Sequence, residues 1–400
     1  MIIDRVDTVR VGEFPNLLFV QVFTDDGLVG LGETFYGAAA VATHIHDAVA
    51  PKLLGEDSRQ IEHLNGALAG YVGFAGTGVE TRARSAVDIA LWDLLGNASG
   101  LPVHDLLGGR TRERIRLYNT CAGTRYIRQH TGQNVANWGV EEQPTGPYED
   151  LYAFLHDAGK LATDLLSSGI NGMKIWPFDP YAEASRGTHL SPDELRRATE
   201  PFRLIRDAVG DAMDVMVELH GLWNVPAAQR IAAALQPYQP SWLEDPVRAD
   251  LVDGLAAVSR RTDIPIAAGE TLAGRAAFLP LLAEQALGVV TVDLTWTGGL
   301  TEARKIATLA DTYGVPVAPH DCTGPVALTA CTHLSTSAPN ALVQEFVRAA
   351  YYGWYGDLVT ALPTVADGTI APPQGAGLGT ALRPDLDDRQ DVERRTTTRD

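Results

Sequence analysis

Glu218, Glu244, Glu270, Asp293, His320 and Glu345 follow one another at intervals of 26, 26, 23, 27 and 25 residues. Each lies at or near the end of a short apolar run, and such steps match one strand plus one helix of a repeating βα unit. In a closed barrel the C-terminal strand ends share one face, where active sites lie, so these side chains should converge. Glu218, Glu244 and Glu270 stand on successive runs with no His or Cys among them, an oxygen-only ligand set suited to a hard cation, Mg²⁺ first. Any one of them alone would read as a surface charge or a helix cap, but three carboxylates buried together are costly without a cation. Asp293 and His320 come from the next two runs, so the carboxylate can accept the imidazole N–H, fix its tautomer and raise its basicity as a general base. His220, two residues beyond Glu218, is expected on the same side of its strand as a second acid or base facing the cavity.

The elements that must position these groups are legible as alternating segments. Eight candidate strands run over Ile115–Cys121, Gly172–Trp176, Val215–His220, Ser241–Glu244, Ile264–Glu270, Val289–Thr295, Val315–His320 and Ala341–Phe346. Helical stretches such as Ala227–Leu235, Ala276–Ala286 and Thr301–Tyr313 lie between them, which predicts parallel strands with crossover helices in a (β/α)₈ barrel. Ahead of them, the apolar run Leu17–Phe23 with its turn Thr24-Asp25-Asp26-Gly27, and the helical period of Ala86–Leu95, make an α+β module. Gly100-Leu101-Pro102 and Leu107-Gly108-Gly109 punctuate its end near Arg110. The fold class is therefore α/β, with residues 1–112 as an N-terminal α+β domain, 113–350 as the barrel, 351–384 as a C-terminal segment and 385–400 as a solvated or disordered polar tail. The polar interval Arg125–Tyr148 reads as a loop over the barrel mouth.

Composition narrows the function classes. A chain of 400 residues, 45% hydrophobic and 20% charged, is ordinary for a globular protein, and no stretch reaches the roughly 20 apolar residues of a membrane span. The start of the chain shows no basic, apolar and small-residue leader pattern, so a cytoplasmic location is expected. Cys121, Cys322 and Cys331 are odd in number and lack CxxC spacing, which argues for reduced thiols and against disulfides or zinc. A net charge of -18 disfavours nucleic acid, while a bound cation could still attract an anionic small substrate.

The ordered set of motifs resembles the enolase superfamily, in its mandelate racemase group, and most closely the galactonate-dehydratase-like acid-sugar dehydratases. The resemblance spans about residues 1–384. It rests on Thr24-Asp25-Asp26-Gly27-Leu28-Val29-Gly30-Leu31-Gly32-Glu33, Val87 to Gly96, Glu218-Leu219-His220-Gly221, Trp242-Leu243-Glu244-Asp245-Pro246, Ala268-Gly269-Glu270, Asp293 to Gly299, Ala318-Pro319-His320 and Gln344-Glu345. It implies that Glu218, Glu244 and Glu270 bind Mg²⁺, that His320 with Asp293 takes the α-proton of a carboxylate, that Glu345 hydrogen-bonds the enediolate oxygen, and that His220 protonates the departing hydroxide. It also implies that the N-terminal domain, completed by 351–384, caps the barrel, and that the protein is a homo-oligomer, an octamer or a dimer.

Departures from the family pattern shape the expected reaction. Where the racemases carry Lys-x-Lys, this chain has Lys174-Ile175-Trp176, so the inner Lys base is absent and Lys174 is left to touch the substrate carboxylate or to serve as a structural ion pair. Val292-Asp293-Leu294-Thr295 likewise places an acid where a second Lys would be sought. A His320 base and a His220 acid then point to anti elimination of water from a sugar acid, giving a 2-keto-3-deoxy acid. Ring opening of an anhydro-sugar acid, such as 3,6-anhydrogalactonate, by a cycloisomerase, and epimerisation or racemisation, use the same residues. A binding protein without activity would not need a His–Asp base opposite a metal site. The expected lid comprises Thr34-Phe35-Tyr36-Gly37 and Tyr71–Thr77, with Tyr36, Trp176 and Trp296 as substrate contacts and Trp223 and Trp354 as further walls.

Overall fold

The strands Ile3–Val11, Leu17–Thr24 and Val29–Phe35 form an antiparallel meander against which the helix Val79–Ser99 is laid. This is a computed structural model, and it describes residues 1–70, 76–128, 130–132 and 146–399. The glycines of Val29-Gly30-Leu31-Gly32 have a steric cause: a Cβ on Gly30 would lie 2.0 Å from the Ala90 carbonyl oxygen, and one on Gly32 1.9 Å from that of Ala86. Only bare backbone lets the helix come so close. The helix is buried on nearly every face. Its far side meets the helix Gly299–Thr312, where Trp92 Nε1 donates to Thr301 Oγ1 at 2.8 Å and Asp88 accepts from the Thr301 N–H at 2.9 Å. Glu33, at the end of the same glycine motif, accepts from the N–H groups of Val326 and Ala327 at the start of the helix Pro325–Ser337. The N-terminal module is thus fastened to the rest of the chain at two helices.

The second sheet is parallel and follows chain order through Ile115–Thr120, Gly172–Ile175, Asp214–Glu218, Trp242–Glu244, Ile266–Ala268 and Val289–Val290. Val290 bridges to Val317 and Val317 to Ala341, and Gln344–Phe346 pairs with Leu117–Asn119 of the first strand. The eighth stave therefore returns to the first and closes the barrel. Its staves are shorter than the apolar runs suggest, and the expected strand Val315–His320 contracts to the single bridge at Val317. Tyr118, Met216, Trp242, Ala267, Val289, Ala318 and Val343, drawn from seven staves, fill the interior as a core distinct from the one outside the barrel. Among the described residues no helix is long and apolar enough to cross a membrane.

The expected polar tail is in part a strand. Within 385–400 the strand Val392–Thr398 pairs antiparallel with Val11–Arg5, so both ends of the chain share one sheet. Burial patterning could not reveal it because the strand is almost entirely exposed. Backbone pairing and ion pairs such as Arg10–Glu393 at 2.9 Å and Arg394–Asp7 at 3.1 Å hold it instead. The segment 351–384 divides its contacts: the hairpin Thr364–Ala366 and Thr369–Ala371 pairs with Ile115 and Arg116, whereas Gly377 bonds to Leu101 and Val103 beside the N-terminal helix.

Candidate active site

Glu218 and Glu244 are the last residues of adjacent staves and stand in register, and Glu270 follows the next stave. The three are buried, and one oxygen of each lies within 4.8 Å of the others. Lys174, on the second stave, offsets their charge from below, with Nζ 3.3 Å from Glu218, 3.0 Å from Glu244 and 2.9 Å from Glu345. Burial, with the neighbouring carboxylates, pushes Glu244 up to about 8 although Lys174 opposes it. Burial also raises Glu218, but the charges of His220 and Lys174 outweigh it and leave that carboxylate below its ordinary range. Trp242 Nε1 donates to Glu244 Oε2 at 2.9 Å, while Glu244 Oε1 is buried without a hydrogen-bond partner. An oxygen-only donor set holding an orphaned buried carboxylate oxygen fits a hard divalent cation.

Two histidine–carboxylate pairs flank this triad. His320 Nδ1 lies 2.8 Å from Asp293 Oδ2, and the other Asp293 oxygen accepts from the N–H and hydroxyl of Thr295. The aspartate is therefore fixed on both sides, and His320 Nε2 is left facing Glu270 at 3.3 Å. His220 Nδ1 lies 2.6 Å from Asp179 Oδ2. In each pair the aspartate comes from the stave before that of its histidine. The histidines follow the third and seventh of eight staves, so they stand on opposing sides of the mouth. Burial lowers both imidazoles' basicity, but the acidic surroundings prevail, bringing His220 up to about 9 and His320 well above its ordinary value. Asp179, fully buried, is pushed up to about 6 by desolvation against the pull of His220.

Sequence reasoning missed Asp179, which sits four residues past the second stave in Asp179-Pro180 at the start of a short helix. An acid just beyond a strand end was the available signal. Strand alternation does not set the direction of His220. The stave stops at Glu218, and a left-handed turn at His220 (φ 49) aims the ring, with Gly221 N–H donating to the Asp245 carbonyl at 2.7 Å. Positive φ at His220 and Asp245 (φ 38), both non-glycine, marks backbone held in place by its surroundings.

Glu345 receives the Thr120 hydroxyl and, at 2.8 Å, the Asp321 N–H. Burial acts against ionisation there, yet Lys174 and His320 bring the carboxyl down to about 2. Lys174 takes the structural ion-pair place among these acids and is itself buried. Above the triad opens a cavity of about 890 Å³ whose lining includes His220, Glu270, Asp245, Arg186, Arg248 and Thr77. Trp176 packs edge-on to His220 at 5.9 Å, and Tyr36 meets Trp296 edge-on at 5.8 Å. Trp354 stacks on Phe14 at 4.4 Å and Trp223 is buried, so these two are packing groups. Residues 71–75 of the expected lid, and 129 and 133–145 of the expected mouth loop, lie outside the described residues.

Residues 8–108 match the mandelate racemase / muconate lactonizing enzyme N-terminal domain, and residues 157–386 match the enolase C-terminal domain-like family. The chain is 32% identical to a D-xylonate dehydratase of Haloferax volcanii, over 96% of this chain and 87% of the relative. It is also 32% identical to a D-galactonate dehydratase of Ralstonia nicotianae, over 98% and 94%. Among solved structures, an enolase of the mandelate racemase subgroup from Agrobacterium tumefaciens is 48% identical, with a TM-score of 0.88 over 100% of this chain and 99% of that one. Two matching domain models that together cover most of the length, with a barrel carrying an acidic triad at its strand ends, place the chain in the enolase superfamily, within the mandelate racemase and muconate lactonizing enzyme family.

Proposed function

We propose that this protein is a Mg²⁺-dependent acid-sugar dehydratase that removes the proton α to a carboxylate and expels the β-hydroxyl, giving a 2-keto-3-deoxy sugar acid. The observation that carries the reading is the pair of aspartate-held histidines on opposing sides of a three-carboxylate cluster. Relatives named D-xylonate and D-galactonate dehydratase support it. Glu218, Glu244 and Glu270 would hold the cation, which supplies the positive charge needed as the substrate carboxylate gains a second negative charge. A cation held at Glu270 would offset the carboxylate that most raises His320, so its Nε2 could accept the α-proton, while Asp293 holds Nδ1–H and keeps the ring aimed. His220, held by Asp179 and protonated, gives its proton to the β-oxygen as the carbon–oxygen bond breaks. One water leaves, and the enol tautomerises to the ketone. Opposed placement of the two rings suits removal of proton and hydroxyl from opposite faces. Lys174 and Thr120 keep Glu345 anchored beside His320.

In this reading residues 1–112 cap a catalytic barrel of residues 113–350. Three free cysteines suit a reducing cytoplasm. The test is a panel of C5 and C6 sugar acids with Mg²⁺, followed as 2-keto-3-deoxy product by semicarbazide absorbance. Turnover of any member with loss of water supports the assignment. An isomeric product of unchanged mass, or deuterium entering unreacted substrate without dehydration, refutes it.

A further inference from the structure

Three buried hydrogen-bond donors stand together between the N-terminal module and the barrel mouth with no acceptor. The Tyr36 hydroxyl, Arg82 Nε and Trp296 Nε1 are each buried without a hydrogen-bond partner. The Arg82 guanidinium lies 4.2 Å over the Trp296 ring, and the Tyr36 and Trp296 rings meet edge-on at 5.8 Å. Among the described residues no carboxylate pairs with Arg82. Arg84, two positions along the same helix, is by contrast bound to Asn65 and ion-paired with Glu302. Burial weakens the basicity of Arg82, and the charge opposing that effect most strongly is Asp293, the partner of His320. Tyr36 in turn senses Glu270 and His320. The Thr34 hydroxyl donates to the Thr295 carbonyl at 3.0 Å, tying the Tyr36 loop to the turn that carries Asp293 and Trp296.

Two of the three groups, the Arg82 guanidinium and the Trp296 indole N–H, can only donate, and the cation stacked on the indole favours an acceptor that carries negative charge. Arg82 is partly buried with its Nε enclosed and unpartnered, and the planar fork of its guanidinium matches a carboxylate. On the proposed reaction, the α-carboxylate lies at the Glu218–Glu244–Glu270 cluster, so Arg82 must meet a different group. We propose that Arg82, with Tyr36 and Trp296, forms a subsite for a second carboxylate, making sugar diacids the substrate class. This inference rests on the dehydratase reading for the placement of the first carboxylate.

The full-length enzyme with Mg²⁺ is titrated calorimetrically with xylarate, glucarate and galactarate, with gluconate and galactonate as monoacids, and with gluconate 6-phosphate as an alternative anion. Turnover of each is measured in parallel. Wild type, Arg82→Gln, Arg82→Lys and Tyr36→Phe are compared after their unfolding midpoints have been matched. The wild type should prefer a diacid, and Arg82→Gln should cut the diacid-to-monoacid ratio of kcat/KM by about 10- to 100-fold, the range of a lost charge-assisted bond. Arg82→Lys should retain part of the preference, because the charge persists without the fork. Tyr36→Phe should give a smaller loss of the same sign. Turnover of monoacids with no diacid preference would overturn the inference and leave the dehydratase reading standing. Arg82-dependent diacid binding without dehydration would do the reverse. Equal losses for both classes in Arg82→Gln, or preference for the phosphate, would also overturn it.

Discussion

Lys174→Met tests how the buried acid cluster is tolerated. Nζ lies 2.9 to 3.3 Å from oxygens of Glu345, Glu244 and Glu218, and all four side chains are buried. At an effective dielectric of about 20, one such pair corresponds to about 5 kcal/mol of attraction, most of it cancelled by the desolvation of both ions. Removing one partner from a buried network leaves uncompensated charge, and the expected loss is about 3–5 kcal/mol. Protonation gives partial relief: Glu244, already pushed up to about 8 by burial and its acidic neighbours, moves higher once Lys174 is gone. A carboxyl raised in the folded state favours folding at low pH and loses that contribution as pH climbs through its folded pKa. The deficit of Lys174→Met should therefore be smallest near pH 6 and largest near pH 9. Added Mg²⁺ should narrow it, because a cation at Glu218 and Glu244 replaces part of the lost charge. Denaturant unfolding of chelator-treated protein at both pH values, with and without Mg²⁺, measures each arm. Equal stability of variant and wild type at pH 9 without metal would refute the reasoning, since three buried carboxylates would then need no cation.

Three further outcomes follow from the same geometry. His320→Asn should abolish α-proton exchange with solvent deuterium, and His220→Asn should block elimination while exchange remains detectable by NMR, each slowing turnover by about 10²- to 10⁴-fold. Equal loss of exchange in both variants would contradict the division of roles. Glu244→Gln should fold normally and weaken Mg²⁺ binding by calorimetry at least about tenfold, because the amide oxygen of Gln can still accept the Trp242 indole N–H while the ligand charge is lost. Burial pushes the His333 imidazole down to about 3 from an ordinary 6.5, so its contribution to stability is full above pH 6.5 and drains by about 1.4 kcal/mol per pH unit as pH falls towards 3. His333→Gln should flatten that part of the stability profile.

The eight staves and the carboxylate triad are legible in the chain because a barrel repeats one local unit, and an acid at the end of an apolar strand stands out against its own segment. Glu218, Glu244, Glu270, Asp293 and His320 carry that signal within a few residues of themselves. Glycines 30 and 32 are visible as a motif, though their cause, the helix lying on their bare backbone, belongs to packing. Other features depend on contacts between distant segments. Asp179 reaches His220 across 41 residues only because the backbone turns left-handed at His220. The strand Val392–Thr398 buries too little to leave an apolar pattern and exists through pairing with the other end of the chain. Arg82 resembles any exposed helix cation until Trp296, from the turn after the sixth stave, is placed beneath it. Periodicity records which way a side chain faces within its own element, whereas the partner it meets is set by how the elements close around one another.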